Sequence, residues 1–455
     1  MTQTRREFLK VLGGMAGAVV LSSCDLSSNS NSPLPNAYSF FRLFSTGGML
    51  PEAGKAEFIP PFVKIHEKNQ IIFHAGDTFQ RNRDGLSMGL YELVMDYSAF
   101  SPRIEGFHKI VRADDQLNDG GKVFQVQLAD LNKHGSVAVR LLTEGDVSQS
   151  IYLEQNRTGG GSANGLQRVV GYHTDTPDGD NVFGAVIGNF DLHENDDMLV
   201  AAHWAAKTGS LNGESLFHLP GGVVDANGRA IIHAGNMLPD SGHLINKLGL
   251  INGYHAGGEY TLQVHTDSGN VGGANQARGS AVIKGDLSDN SASSASLIAA
   301  SSDIALSTAA RVQTRSTRGA IHFGPRINAD GNVATVTHIT DRTMLLTLGN
   351  DEIIQTGDTT PLGRVVSGIG GPVLGADGLV FFVAASEGKE ELLVSNGSHT
   401  ATILETGRQF FGDNGPTLLT IAFGYAKEQA DNEGRLVFIG EFDDGTLSVM
   451  LGVPL

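Results

Sequence analysis

The sequence predicts an all-β chain folded as a β-propeller of seven blades, and three observations lead there. The first is a tight-turn step that recurs along the chain, seen best at Asn328-Ala-Asp-Gly331. Asparagine suits the first position of a type I turn, and glycine supplies the positive φ that closes it. Its counterparts are anchored at Asn69, Gly135, Asp196, Gly258, Gly331, Gly378 and Gly434. Asn and Asp are the non-glycine residues that best tolerate a left-handed backbone, so their substitution for Gly fits. The second is register. Two residues past the anchors stand Ile71, Val137, Met198, Tyr260, Val333, Val380 and Leu436, and three past stand Ile72, Ala138, Leu199, Thr261, Ala334, Phe381 and Val437. Both faces of this hairpin strand are largely apolar, as in a sheet covered on both sides. The third is period: repeats of about 60 residues suit propeller blades better than the shorter coils of a solenoid.

Taken in order, the chain opens with an address. Thr4-Arg5-Arg6-Glu7-Phe8-Leu9-Lys10 resembles the twin-arginine export motif and precedes a glycine- and alanine-rich apolar run that ends in Leu21-Ser22-Ser23-Cys24, a lipobox pattern. The run from Val11 to Leu21 is too short to span a bilayer. Residues 1–23 are therefore expected to be a signal peptide cut ahead of Cys24, with Arg5 and Arg6 directing export and Cys24 carrying the lipid. Cys24 is the single cysteine, which excludes an intramolecular disulfide. Residues 24–37 are polar and turn-rich and read as a flexible tether. The expected location is membrane-anchored, on the periplasmic side of the inner membrane or at the cell surface; Asp25, directly after the cysteine, favours the inner membrane.

The body, 38–455, alternates a lead strand with the hairpin strand. The lead strands are Leu43-Phe44, Ile110-Val111, Val169-Val170, Ile231-Ile232, Val282-Ile283, Ile353-Ile354 and Ile403-Leu404, most of them running into a small-polar turn such as Gly235-Asn236-Met237-Leu238-Pro239. A third strand follows in most copies, as at Leu90 to Met95 and Leu392 to Val394, but the fourth copy lacks a clear one. The array opens with a lead strand and closes with a third strand, so the first residues are expected to complete the last blade and close the ring. Lead strand to anchor measures 25 to 27 residues in five copies and 49 in the fifth. That excess, roughly 290–318, reads as a Ser/Ala-rich surface excursion carrying Arg311, Arg315 and Arg318.

Asn132-Lys-His-Gly135-Ser-Val137-Ala138-Val139 and Asn328-Ala-Asp-Gly331-Asn-Val333-Ala334-Thr335 resemble the tandem N-x-x-G-x-x-A-F repeats of a bacterial choice-of-anchor family. The resemblance covers nearly all of 39–455 and implies a secreted repeat protein, here with a lipid anchor. It implies no known activity.

The formal charge of -17 and pI near 5.3 disfavour nucleic acid as a partner. Zinc-protease and P-loop motifs are absent, and Gly368-Ile-Gly370-Gly371-Pro372-Val373 misses the last small residue of a dinucleotide fingerprint. Asp175-Thr-Pro-Asp178-Gly179-Asp180 is rich in oxygens, but without EF-hand spacing it reads as a solvated turn. His66, His193 and His255 share the Asn position of the turn and would lie on one face; tolerance of turn geometry is the expected explanation, because the ligand spacing of a metal or proton-transfer cluster is missing. No catalytic, cofactor-binding or metal-ligating residue is assigned. The expectation is a monomeric binding or scaffold propeller for a protein or glycan ligand, against the alternative of an enzyme with its site in the central funnel.

Overall fold

A computed structural model describes residues 34–35, 37–66, 69–78, 87–98, 101–132, 134–146, 148–157, 165–208, 212–252, 258–267, 278–287, 295–301, 315–317, 321–327, 332–338, 343–349, 351–375, 378–410, 415–424 and 428–455, with the backbone of 19–22. The chain forms seven sheets, antiparallel but for one pairing in blade four, arranged as the blades of a closed propeller. Blade one spans 63–112, blade two 123–170, blade three 181–233, blade four 245–317, blade five 321–355 and blade six 366–405. Blade seven joins the two ends of the chain.

The first strand of each blade lies at the centre of the ring, where Val123–Leu131 meets Asn181–Leu192, which in turn meets Ile245–Asn252. The hairpin strand follows, and its turn opens as the repeat requires. Asn69, Gly135, Asp196, Gly258, Gly378 and Gly434 have φ of 61, 81, 63, 86, 83 and 71°; Gly331 lies outside the described residues. In five of these turns the anchor amide donates to the carbonyl three residues back, as from Gly135 to Asn132 at 2.9 Å and from Gly434 to Asp431 at 3.1 Å. A side chain at Gly135 would come within 2.9 Å of the Arg157 carbonyl, a second reason for glycine there.

The register of the repeat has a direct physical cause. The core consists of apolar seams between neighbouring blades, and the hairpin strand feeds two of them. Ile71 packs in the seam between blades seven and one, and Ile72 in the seam between one and two. Val137 and Ala138, Met198 and Leu199, and Leu436 and Val437 divide in the same way. Each side chain so buried stabilises by about 1.5–3 kcal/mol, which is why both positions are apolar in nearly every copy.

Closure follows the expected route. Ala37–Ser45 pairs antiparallel with Leu447–Pro454, from Tyr38 opposite Pro454 to Ser45 opposite Ser448. The Tyr38 hydroxyl donates to the Gly434 carbonyl at 3.0 Å, the Ser45 and Ser448 hydroxyls lie 2.7 Å apart, and the Arg42 guanidinium sits 4.4 Å from the centre of the Phe442 ring. The backbone of Val19–Ser22 adds a further antiparallel strand outside Ala37–Phe40.

Two readings of the sequence are corrected. With one exception the lead strands lie on the outer side of the preceding blade, so the sequence repeat is out of phase with the blade by one strand. Secondly, Val282-Ile283 is no lead strand: it belongs to Arg278–Asp286, the third strand of blade four, which the sequence reading could not find. The outermost strand of that blade is Ser296–Ser301, inside the supposed excursion, with Leu297, Ala299 and Ala300 buried. Arg315–Thr317 pairs parallel with it. The segment 290–318 is thus partly core, while 288–294 and 302–314 lie outside the described residues. The error came from composition: a Ser/Ala-rich strand lacks the β-branched signal that marks the others.

Because Leu297 packs in the seam between blades three and four, Leu297→Ala should lower the unfolding free energy by about 2–5 kcal/mol in urea titration. A loss within about 0.5 kcal/mol, the usual effect at a surface position, would restore the excursion reading.

Candidate functional site

Antiparallel strands put successive connections at opposite ends of a blade, so the propeller has two faces. The turn face carries the hairpin anchors. The loop face carries the connections between blades, and there the small-polar turns form a repeated plug. Met49 bridges Lys55, Gln116 bridges Lys122, Asp175 bridges Val182, Met237 bridges Leu244, Thr359 bridges Val365 and Gln409 bridges Thr417. The residue after the first member of each pair, namely Leu50, Leu117, Thr176, Leu238, Thr360 and Phe410, is buried in every case.

The turn histidines take part in closing the hairpin turns through their backbone. The His66 and His193 carbonyls accept the closing amides of Asn69 and Asp196 at 3.1 and 3.0 Å. Between these two turns lies that of blade two, whose Asn132 amide donates to the His193 carbonyl and to Asp196 Oδ1 at 2.8 and 2.7 Å. His255 lies outside the described residues. The Asp175–Asp180 turn bonds to itself: Thr176, Asn181 and the Asp180 amide all donate to Asp178. Burial would raise the Asp178 carboxyl, but these donors outweigh it and hold it below the usual range.

Near the axis, towards the turn face, charged groups converge. Five residues before the anchors, on or beside the first strands, stand Lys64, Asp130, Asp191, Arg326 and Gln429, all buried. Lys64 Nζ lies 2.6 Å from Asp130 Oδ1 and 2.6 Å from Glu428 Oε2, tying blade one to blades two and seven. Asp130 Oδ2 accepts the Leu192 amide at 2.8 Å, which continues the chain of contacts to blade three. Oxygens of Asp130, Asp191 and Glu428 lie within 4.8 Å of one another. By distance alone these carboxylates could hold a cation, and the Lys64 ammonium already fills that role for two of them. Burial pulls the Lys64 pKa down, yet Asp130 and Glu428 outweigh it and raise it above the ordinary lysine value. Burial brings the Arg326 guanidinium down to about 10, with Glu428 opposing. The sequence reading missed this ring because it looked after the anchors and not before them. Aligning the fifth position back would have shown polar residues in otherwise apolar company.

A second site opens on the loop face at blade three: a cleft of about 580 Å³ with Tyr172, His173, His203, Trp204, Glu214 and Asn246 on its walls. Trp204, the single tryptophan of the chain, stands opposite Gly213 across the sheet. Its indole lies where a Gly213 side chain would be, 2.9 Å from the Cβ position, so only glycine lets it lie there. Trp204 Nε1 donates to Ser215 Oγ at 2.8 Å, and Ser215 Oγ lies 2.7 Å from His233 Nδ1. An indole nitrogen can only donate, so Ser215 Oγ accepts from Trp204, and the neutral His233 ring shares a hydrogen bond with the same hydroxyl through Nδ1. Burial, opposed by Asp178, lowers the His233 pKa and favours that form. Glu214 Oε2 accepts the Leu248 amide of blade four at 3.2 Å, fixing the far wall. The buried Ser215 holds Trp204 and His233 together, which makes this a rigid aromatic wall.

No protein-family model and no curated protein sequence matches the chain. Among solved structures, prolyl oligopeptidase B from Galerina marginata is similar at 9% identity and TM-score 0.44, over 84% of this chain and 47% of that one. The chain thus spans about half the length of that enzyme. The Dos1 propeller aligns at 11% identity and TM-score 0.36, over 86% of this chain and 95% of its own. A protein from Lactobacillus plantarum aligns at 11% identity and TM-score 0.37, over 86% and 96%.

Removing the Lys64 ammonium would leave buried carboxylates facing one another. Lys64→Met should therefore cost about 3–5 kcal/mol of stability near neutral pH. The raised Lys64 pKa fixes the sign of the pH dependence: the contribution is complete below the ordinary value of 10.5 and lost as pH climbs through the raised one. Denaturant titrations at neutral and strongly alkaline pH should show the two proteins converging at the alkaline end. Equal stability at neutral pH would remove the network from the account.

Proposed function

We propose that the chain is an exported lipoprotein whose propeller, tethered through Cys24, acts as a binding or scaffold module with the blade-three cleft as its site. The order of the twin-arginine motif, the apolar run and the lipobox supports export and acylation. The observation that carries the binding reading is the position of the cleft relative to the tether. Ala37, where blade seven's first-translated strand begins, accepts the Leu455 amide at 3.0 Å, and the neighbouring Tyr38 reaches the Gly434 turn. The tether therefore joins the turn face. A lipid at Cys24 draws that face to the membrane and leaves the loop face, with its cleft, directed outward. Cleavage ahead of Cys24 also removes Val19–Ser22, giving blade seven four strands like most of the others.

A second reading, an enzyme in the central funnel, has the convergence of Asp130, Asp191 and Glu428 in its favour. The ion pairs of Lys64 with two of these groups favour a structural role instead.

Cys24→Ala should move the protein from the membrane fraction to the soluble exported fraction, and replacing Arg5 and Arg6 by lysine should hold the precursor inside the cell. Retention of the Cys24→Ala protein in the membrane would mean a different anchor.

A further inference from the structure

We infer that the blade-three cleft takes a neutral oligosaccharide; this rests on the reading of the cleft as the binding site and adds the class of ligand. Three features of the walls argue for it. The first is a fixed aromatic surface. Trp204 is held by its bond to Ser215 and by the absence of a side chain at Gly213, so its ring offers a flat face without losing rotamer freedom on binding. Tyr172, 37% exposed, stands on another part of the rim with its ring centre 3.9 Å from that of His173. The C–H faces of a pyranose are the natural complement of such rings, because they are apolar and carry slight positive charge toward the π face.

The second feature is the polar set between the rings. Asn212, Asn246 and His203 supply donors and acceptors, and Glu214 supplies a carboxylate. Hydroxyl groups, which both donate and accept, match this mixed set of donors and acceptors, whereas a purely apolar ligand would make no use of it.

The third feature is charge. Among the described residues that line the cleft none is Lys or Arg. Lysines stand close in sequence at Lys247, next to Asn246, and at Lys207, which is paired with Asp175 at 2.7 Å, on a chain of formal charge -17. A phosphate, a sulfate or a uronic acid would find no Lys or Arg among the lining residues and would meet Glu214. An extended peptide is disfavoured on other grounds: peptides held by main-chain bonds add to an open strand edge, and here the walls are the ends of paired strands and the connections between blades. The volume, about 580 Å³, falls within the usual 300–1,000 Å³ of small-ligand sites.

Trp204 makes the test direct, because the whole tryptophan emission of the protein comes from this wall. The full-length exported protein is titrated with neutral hexasaccharides built of glucose, xylose, mannose or N-acetylglucosamine, with a hexamer of galacturonic acid and a mixed peptide pool in parallel. The expected result is a saturable change in Trp204 emission with at least one neutral sugar and none with the uronate. Tyr172→Ala, an exposed position whose loss should leave the melting temperature unchanged, should weaken that sugar at least tenfold by calorimetry, equivalent to about 1.4 kcal/mol. Equal or tighter binding of the uronate overturns the neutral assignment. A response to peptides alone overturns the saccharide and leaves the cleft as a binding site. Silence toward every probe, with Tyr172→Ala indistinguishable from the native chain, overturns both.

Discussion

The structure depends on one ladder of backbone hydrogen bonds, that between Ala37–Ser45 and Leu447–Pro454. Every other blade is built from consecutive strands and closes on itself; blade seven exists only when the two ends of the chain meet. A sheet edge left open exposes a row of unpaired donors and acceptors, and an open ring would expose two faces of apolar seam as well. Each net hydrogen bond is modest, about 0.5–1.5 kcal/mol. The larger gain comes from what closure buries. Phe41 and Phe44 enter the seam with Ile71 and Phe73 of blade one, and Phe40 enters the seam with Phe438 and blade six.

Within the closed ring, apolar burial and charge have separate tasks. The seams supply stability through pairs such as Ile71 and Ile72, one for each neighbour. The central network supplies little net energy, since ion pairs taken out of water give back in desolvation most of what they gain by attraction. What it does is fix relative position, with Lys64 bound to blades two and seven and Asp130 bound to Leu192 of blade three. Glu391 plays a similar part in blade six. It accepts from Thr360 and Ser386 on one oxygen and from Thr402 on the other, at 3.0, 3.2 and 2.9 Å, so the connection from blade five is fastened to the middle of the sheet.

Much of this fold is legible in the sequence because its two strongest signals are local. A positive-φ anchor and the two apolar residues after it depend only on neighbours in the chain, so Asn69, Gly135 and Gly434 can be read without knowing what packs on them. The first strand of each blade was harder. Asn181–Leu192 shifts register at two points along its pairing with Met198–Ala206, so its apolar residues follow no constant period. The outer strand Ser296–Ser301 was hidden by small residues. The cleft was illegible for a different reason: Tyr172, Trp204, Glu214 and Asn246 come from connections and strand ends far apart in sequence, and nothing in a turn motif says which of them will face one another. Position five before the anchor could have been read, and it would have shown the central ring of Lys64, Asp130, Asp191 and Arg326.

The proposed use of the loop-face cleft requires a rigid ring, and rigidity depends on the shared blade. Native-state amide hydrogen exchange tests this directly. The account predicts that the amides of the closing ladder, in 38–45 and 448–453, exchange as slowly as those of the hairpin strands in blades one to three, all opening together in one global event. Fast exchange of the ladder while Ile71, Val137 and Leu199 stay protected would show that the ring stands open without loss, and would contradict the claim that closure holds the propeller together.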